Sequence, residues 1–235
     1  MLYFIIAIGI ILQALFIKVE HDEKYVAADI LKGSAALMFV IVGFLGMKKG
    51  HNPGFAVKIF TGLVFGMIGD ILLNLRFVFE KQGQKIFLAG IVAFLIGHIM
   101  YLVALIPYAK HLIIDIIVGA LLAAALLTYI FKTMEVKMAF KIFGVVYLGA
   151  VIIMTVIAID TAIFPQPNMF STVSGAFNTT SPLIYAIGAV LFTASDIVLI
   201  FNTFSGVTKF SLRITNLSLY YLGQMLIALS LFYRR

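Results

Sequence analysis

Residues 62–101 read GLVFGMIGDILLNLRFVFEKQGQKIFLAGIVAFLIGHIMY, two apolar runs joined by a short basic connection. Asp70 stands inside the first run, with only apolar residues and glycine around it from Leu63 to Leu73. A carboxylate at the centre of a membrane span costs about 2.5–3.5 kcal/mol on insertion scales. We therefore predict that Asp70 has a function and that the rest of the chain supplies it with a partner.

The composition is that of a membrane protein. Of 235 residues, 63% are hydrophobic and 11% are charged, whereas soluble domains have about 45–50% apolar and about 25% charged residues. Apolar runs of about 20 residues recur along the chain, and in lipid such runs must form helices because every backbone group needs an internal partner. We predict an all-α, polytopic membrane protein with eight transmembrane helices in a single domain, 1–235.

Charge and cysteine content limit the partners and the chemistry. The net charge of +7 is spread over short loops, which favours contact with a membrane surface and argues against a nucleic-acid partner. The chain has no cysteine, so disulfides, thiol chemistry and cysteine-bound metals are excluded. We find no metal-ligand spacing, nucleophile elbow or phosphate-binding loop, so we predict no metal site.

Eight apolar runs define the predicted spans. The first run has no basic segment before it and no convincing cleavage site, so we interpret it as a retained helix and not as a signal peptide. The predicted spans are 2–17, 29–47, 55–75, 86–106, 112–131, 142–159, 182–204 and 212–232.

Lys and Arg in the short loops give a preferred orientation. The loops that follow the first, third, fifth and seventh spans carry more of these residues than the other side does, which places both termini outside. The uncharged loop 161–180, with its glycosylation sequon at Asn178, lies on the outer side in this orientation. We predict an integral, multi-pass protein, in the cell membrane if the source is bacterial.

The chain resembles itself at an offset of 126 residues. GLVFGMIGDILL at 62–73 lies over GAVLFTASDIVL at 188–199, so that Asp70 matches Asp196. The same offset places Phe94 over Tyr220 and His98 over Gln224. A shift of four helices gives parallel repeats, approximately 1–110 and 111–235, which usually face each other across a pseudo-two-fold axis. Asp70 and Asp196 would then meet near that axis.

Polar residues of several spans are predicted to converge in one half of the membrane. Asp70 and Asp196 lie toward the same end of their spans, and Tyr220 and Gln224 share a face of the last one. Steps of three and four residues place a further set on one face of the fourth span: Phe87, Gly90, Phe94, His98 and Tyr101. A convergent set of this kind predicts a polar cavity.

Individual members of this set have simpler interpretations. Asp29 and Lys32, three residues apart, are compatible with a local ion pair at a helix start, and Lys32 with a side chain that reaches the membrane interface. His98 is compatible with a hydrogen bond to a neighbouring helix, and Tyr147 with packing. For Asp70 and Asp196 a packing role is less favoured, because a hydroxyl or amide would join helices at lower cost.

The motifs resemble those of the YhhN-type lysoplasmalogenases over nearly the whole chain. In this family a proline usually follows the lysine of the second helix, whereas here Lys32 precedes Gly33. The matching residues are Gly69-Asp70 with Leu73; Phe87, Gly90, Phe94, His98 and Tyr101; Gly188-Ala189 with Phe192 and Ser195-Asp196; and Tyr220 with Gln224.

The resemblance implies hydrolysis of the vinyl-ether bond of lysoplasmalogens, without a cofactor, to a fatty aldehyde and a glycerophospho-headgroup. The partners would be a lysophospholipid substrate and membrane lipids; the oligomeric state is not predicted. Two carboxyl groups suit this reaction, because one can donate a proton while the other stabilises the cation that forms. Asp70 and Asp196 are the predicted catalytic residues, and which of them is the acid stays open. The predicted binding and positioning residues are Lys32, Asn74, His98, Tyr101, Tyr147, Ser195, Tyr220 and Gln224.

Two other functions are compatible with the sequence. Paired intramembrane carboxylates and parallel repeats occur in proton- or cation-coupled transporters, although Gly66 and Gly69 have Phe192 and Ser195, not glycines, at the matched positions. A non-catalytic scaffold or lipid sensor is the second. It predicts that both aspartates tolerate replacement by asparagine with little effect beyond stability.

Overall fold

The computed structural model describes residues 1–49, 52–136, 138–166, 179–206 and 208–233. Within these residues, eight helices are long and apolar enough to cross a membrane, and the chain is an integral, multi-pass membrane protein, as predicted. Short 3₁₀ turns lie at Glu80–Gln82, Ile106–Tyr108 and Leu231–Tyr233. The long helices are α1 (Leu2–His21), α2 (Tyr25–Lys49), α3 (Pro53–Leu75), α4 (Gly83–Leu105), α5 (Leu112–Thr133), α6 (Met138–Ile163), α7 (Thr180–Phe204) and α8 (Phe210–Ser230).

Six helices form a closed ring in the order α2, α3, α4, α6, α7 and α8, and α8 returns to α2. Helix α1 packs against α2 and α8, and α5 packs against α6 outside the ring. Large apolar side chains of α5, such as Ile113 and Leu121, are exposed, as expected for a helix face directed toward lipid. The ring places α3 and α7, which carry the two aspartates, in one bundle.

Glycine pairs bring two helix pairs into close contact. In α3 and α4, a Cβ atom on Gly97 would lie 3.0 Å from the carbonyl oxygen of Gly62. In α7 and α8, a Cβ atom on Gly223 would lie 2.8 Å from the carbonyl oxygen of Gly188. Small residues at such positions allow membrane helices to pack backbone against backbone. The offset of 126 residues relates the two glycine pairs to each other.

The neighbours of the helices also follow the proposed repeat. The pairs α1–α2, α2–α3, α3–α4 and α2–α8 have counterparts four helices further on, namely α5–α6, α6–α7, α7–α8 and α6–α4. A parallel repeat predicts this correspondence. The division into halves at about residue 110 stays a prediction, which these contacts support.

Several helices extend beyond the predicted spans. Helix α1 continues to His21, and α6 runs from Met138 to Ile163, so that Asp160 lies within it. Apolar run length predicts only the part of a helix that lies in lipid, whereas helical hydrogen bonds continue into the polar interface. The predicted loop 161–180 falls largely outside the described residues, and Asn178 does so entirely. The orientation of the termini stays a prediction.

Candidate active site

A cavity opens among α2, α3, α4, α6, α7 and α8 and holds, with the open solvent at its mouth, about 1000 Å³ of empty space. Its polar lining comes from several helices, and the rest is aliphatic and aromatic. Six of the ten predicted site residues line it: Lys32, Asp70, Tyr147, Ser195, Asp196 and Tyr220. A mostly apolar pocket with a few convergent polar groups is suited to an amphipathic ligand.

Asp70 is held as one member of a buried ion pair. Lys32 reaches across from α2, and its Nζ lies 3.2 Å from Asp70 Oδ1. The hydroxyl of Tyr220 donates to Asp70 Oδ2 at 2.5 Å. Asp70 is 2% exposed and Lys32 is 5% exposed. A buried charge requires a partner and further hydrogen bonds, and Asp70 has both.

Asp196 has a different environment. Its Oδ2 accepts a hydrogen bond of 2.7 Å from the hydroxyl of Tyr147. Among the described residues, no Lys or Arg nitrogen lies within 4.0 Å of its carboxylate. Tyr147 therefore has a specific polar contact and not only a packing role. The two aspartates line one cavity, but within the described part of the chain only Asp70 has a cation beside it.

Ser195 is oriented by a neighbour on α8. The side-chain amide of Asn216 donates to both the carbonyl oxygen and the Oγ of Ser195, each at 2.9 Å. Ser195 and Asn216 both line the cavity. This contact fixes α7 against α8 at the residue immediately before Asp196.

An aromatic cluster of Phe94, Phe192 and Tyr220 forms part of the cavity wall. The Phe94 ring centroid lies 5.9 Å from that of Tyr220 and 6.4 Å from that of Phe192. Phe94 packs on the backbone of Gly69, where a Cβ atom would lie 2.6 Å from its ring. The glycine before Asp70 is thus required by the close approach of this ring.

Tyr101, Gln224 and His98 are buried but do not line the cavity. The hydroxyl of Tyr101 donates to Gln224 Oε1 at 2.9 Å. His98 Nδ1 lies 2.8 Å from the carbonyl oxygen of Phe94, and its ring centroid is 4.5 Å from that of Phe192. These three residues thus lie outside the cavity lining, and His98 packs against Phe192 of the aromatic cluster.

Asn74 also lies outside the cavity lining. With its amide oriented to satisfy both neighbours, Nδ2 donates to Glu20 Oε1 at 2.9 Å and Oδ1 accepts from the backbone nitrogen of Asp29 at 3.0 Å. Asn74 therefore joins α3 to α1 and α2. The alternative ion pair of Asp29 with Lys32 is not among the ion pairs of the described residues, because Lys32 turns toward Asp70.

Sequence reasoning missed two arginines of the cavity. Arg76 and Arg213 both line it. The guanidinium of Arg213 binds Glu20 through two hydrogen bonds, of 2.9 Å from Nε and 2.6 Å from Nη2. Basic residues near span ends are expected from membrane topology alone, so these two were counted only toward orientation. Their position on the same side as Asp70 and Asp196 was the available signal.

Among the described residues, no group of three or more His, Cys, Asp or Glu side chains is placed to hold a metal ion.

Comparisons with known proteins agree with the motifs found in the sequence. No curated protein and no solved structure gives a significant match to the chain. The model of the YhhN family matches residues 28–231, which include every residue described at this site apart from Glu20. The chain therefore belongs to the YhhN family, the family of the lysoplasmalogenases.

Proposed function

We propose that this protein hydrolyses the vinyl-ether bond of lysoplasmalogens, with the two aspartates as catalytic residues. The observation that carries the proposal is the unequal environment of the pair within one amphipathic cavity. Asp70 is paired with Lys32, whereas Asp196 has a tyrosine hydroxyl and no cation within 4.0 Å among the described residues. The family membership supports a reaction of this type.

The unequal environment assigns the two roles. We assign Asp196 as the acid, since it lacks a cation that would hold it ionised, and Asp70 as the carboxylate, since Lys32 stabilises its negative charge. Asp196 donates its proton to the vinyl carbon β to the ether oxygen. The electron pair of the double bond forms the new C–H bond, and positive charge develops on the α carbon and the oxygen.

Water completes the reaction. The negative charge of Asp70 stabilises the oxocarbenium ion, and water adds to its α carbon to give a hemiacetal. The proton released by that water returns to the carboxylate pair. The hemiacetal then collapses: its C–O bond to glycerol breaks, its hydroxyl proton passes to the glycerol oxygen, and a fatty aldehyde leaves. One water is consumed, and no redox partner is required.

The shape and lining of the cavity suit this substrate. A lysolipid has one long apolar chain and one charged headgroup. Aliphatic side chains such as Leu148, Leu199 and Ile200 line the cavity together with the aromatic cluster. Polar side chains of Lys32, Tyr147 and Tyr220 contact the aspartates. The vinyl-ether bond, which lies where the chain joins glycerol, would be placed at the boundary between these two parts.

Aldehyde release from the purified, detergent-solubilised protein tests the proposal. We expect wild type to release aldehyde from a lysoplasmalogen and not from the saturated-ether analogue. Asp196→Asn should lower kcat by about 10²–10⁴-fold, which is the usual contribution of a general acid. Asp22→Asn, an exposed carboxylate, is the matched control and should keep wild-type activity.

Two results would contradict the proposal. One is full activity of folded Asp196→Asn. The other is the absence of aldehyde from folded wild-type protein, in which case proton flux into liposomes would be measured next, as the transporter alternative requires.

A further inference from the structure

Three cations of the described residues line the cavity, and two of them have carboxylate partners. Lys32 is paired with Asp70 at 3.2 Å, and Arg213 is paired with Glu20 at 2.6 Å. Arg76 has no ion pair with any described residue. Its Nε is buried and has no hydrogen-bond partner among the described residues. A buried donor without a partner is costly and requires an explanation.

The guanidinium of Arg76 is held by two aromatic rings. Its central carbon lies 4.6 Å from the ring centroid of Phe77 and 4.3 Å from that of Phe87. Such stacking uses the faces of the guanidinium plane and restricts its rotation, while the N–H groups at its edge remain available. Arginine held in this way is suited to bind phosphate through two parallel hydrogen bonds.

Electrostatics favour an anion at Arg76. Burial, and then the nearby positive charge of Arg213, lower the pKa of Arg76 to about 10, while the charge of Glu20 acts in the opposite direction. The guanidinium stays charged at neutral pH. An anion that approaches it would offset the cost of burial and the repulsion from Arg213.

Arg76 stands where two cavities meet. A second, more open cavity of about 500 Å³ adjoins the first, and it contains Gly83 and Gln84 at the start of α4. Both cavities are lined by Arg76, Phe87, Thr203 and Phe204. The residue therefore separates the inner, aspartate-containing cavity from a more exposed one.

The spacing between Arg76 and the aspartates suits a glycerophospholipid. Arg76 follows Asp70 by six positions on and just after α3, which corresponds to about 9 Å along the helix axis. In a lysophospholipid, the three carbons of glycerol separate the chain-bearing oxygen from the phosphate. A phosphate at Arg76 would thus leave the chain-bearing oxygen near the level of Asp70.

We propose that Arg76 binds the phosphate of a lysophospholipid headgroup, at the junction of the two cavities, and so selects phospholipids over neutral glycerol ethers. The headgroup beyond the phosphate would occupy the outer cavity and the chain the inner one. This inference names the headgroup site of the proposed function and rests on it for the identity of the substrate. Its binding test does not depend on catalysis.

The test compares two ligands that cannot be hydrolysed, 1-O-hexadecyl-lysophosphocholine and 1-O-hexadecylglycerol. They share the saturated chain and glycerol and differ in the phosphocholine group. Their dissociation constants are measured by microscale thermophoresis on the full, detergent-solubilised chain and on Arg76→Ala, Arg76→Lys and Lys81→Ala. Lys81 is an exposed cation of the same connection and is the matched control. Circular dichroism and size-exclusion chromatography establish that each variant is folded.

We expect Arg76→Ala to weaken binding of the lysophosphocholine by about 10–150-fold, the equivalent of a hydrogen bond to a charged group, and to change binding of the alkylglycerol less than about twofold. Arg76→Lys should fall between, since it keeps the charge and loses the planar fork. Lys81→Ala should match wild type. Equal weakening of both ligands in folded Arg76→Ala and Arg76→Lys, or no weakening of either, would overturn the inference.

Competition distinguishes a lipid headgroup from free phosphate. Glycerophosphocholine should displace the lysophosphocholine at lower concentration than inorganic phosphate does. Inorganic phosphate that competes equally well would assign the site to a free anion and overturn the headgroup assignment. If wild type binds both ligands as described and releases no aldehyde from a lysoplasmalogen, the proposed reaction is wrong and the phosphate site stands.

Discussion

Replacing Lys32 by methionine should destabilise the protein strongly, because it leaves Asp70 buried without its cation. At the observed separation of 3.2 Å and an effective dielectric constant of about 20, the attraction is about 5 kcal/mol. Removal of one partner from a buried pair usually costs about 3–5 kcal/mol. For a chain of this size, that loss corresponds to a decrease of roughly 6–20 °C in the unfolding midpoint.

The double variant makes this prediction specific. Asp70→Asn in the Lys32→Met background removes both charges and keeps an acceptor for the hydroxyl of Tyr220. We expect it to recover most of the stability, to within about 1–2 kcal/mol of wild type. Asp70→Asn alone should resemble Lys32→Met, since it leaves the lysine unpaired.

Heating followed by size-exclusion chromatography in detergent measures the apparent midpoint of each variant. The chain has no Trp and no Cys, so assays that depend on tryptophan emission or thiol labelling do not apply, and circular dichroism is the second probe. If the decreases in the unfolding midpoint of the two single variants simply add in the double variant, the reasoning is refuted, because a true buried pair gives strong coupling. A Lys32→Met midpoint within about 2 °C of wild type would do the same.

Two more substitutions follow from the geometry. Tyr147→Phe removes the hydroxyl that donates to Asp196 at 2.7 Å and should lower kcat by about 5–150-fold, in line with about 1–3 kcal/mol for a hydrogen bond of this kind. Unchanged kcat would make Tyr147 a packing residue. Gly223→Ala places a methyl group 2.8 Å from the carbonyl oxygen of Gly188 and should lower the unfolding midpoint by several degrees, since an overpacked site costs about 1–3 kcal/mol. Gly149→Ala, with nothing within 4 Å of the added atom, is its control, and equal midpoints for the two variants would show that α7 and α8 separate easily.

The sequence predicted the eight helices and the cavity because both have local signals. Apolar runs of spanning length can only be helices in lipid, and a carboxylate such as Asp70 or Asp196 in such a run marks a polar interior. The partner of Lys32 had no local signal. Asp29 lies on the same turn, and only the crossing of α2 with α3 decides that the lysine turns to Asp70.

The polar residues at the cavity mouth could not be predicted for a related reason. A basic residue at a span end has an ordinary topological explanation. The one signal of Arg76 and Arg213, their position on the same side as the two aspartates, is shared by the other basic residues of those loops. Asn74 is a predicted site residue that lies outside the cavity lining. In the structure, Asn74 contacts Glu20 and the backbone of Asp29. Contacts between helices that are far apart in the sequence leave no periodic pattern by which one sequence could predict them.

The asymmetry of the aspartates follows from the helices that precede them in each half. Helix α2 packs against α3 and supplies Lys32 to Asp70, whereas α6, its counterpart four helices on, packs against α7 and supplies Tyr147 to Asp196. Two identical environments would give both carboxyl groups the same tendency to ionise. A lysine on one side and a tyrosine on the other separate them, which the proposed acid catalysis would require of a pair that must donate a proton and stabilise a cation. On this argument the predicted repeat accounts for the two carboxyl groups on one cavity, and the difference between α2 and α6 makes them chemically distinct.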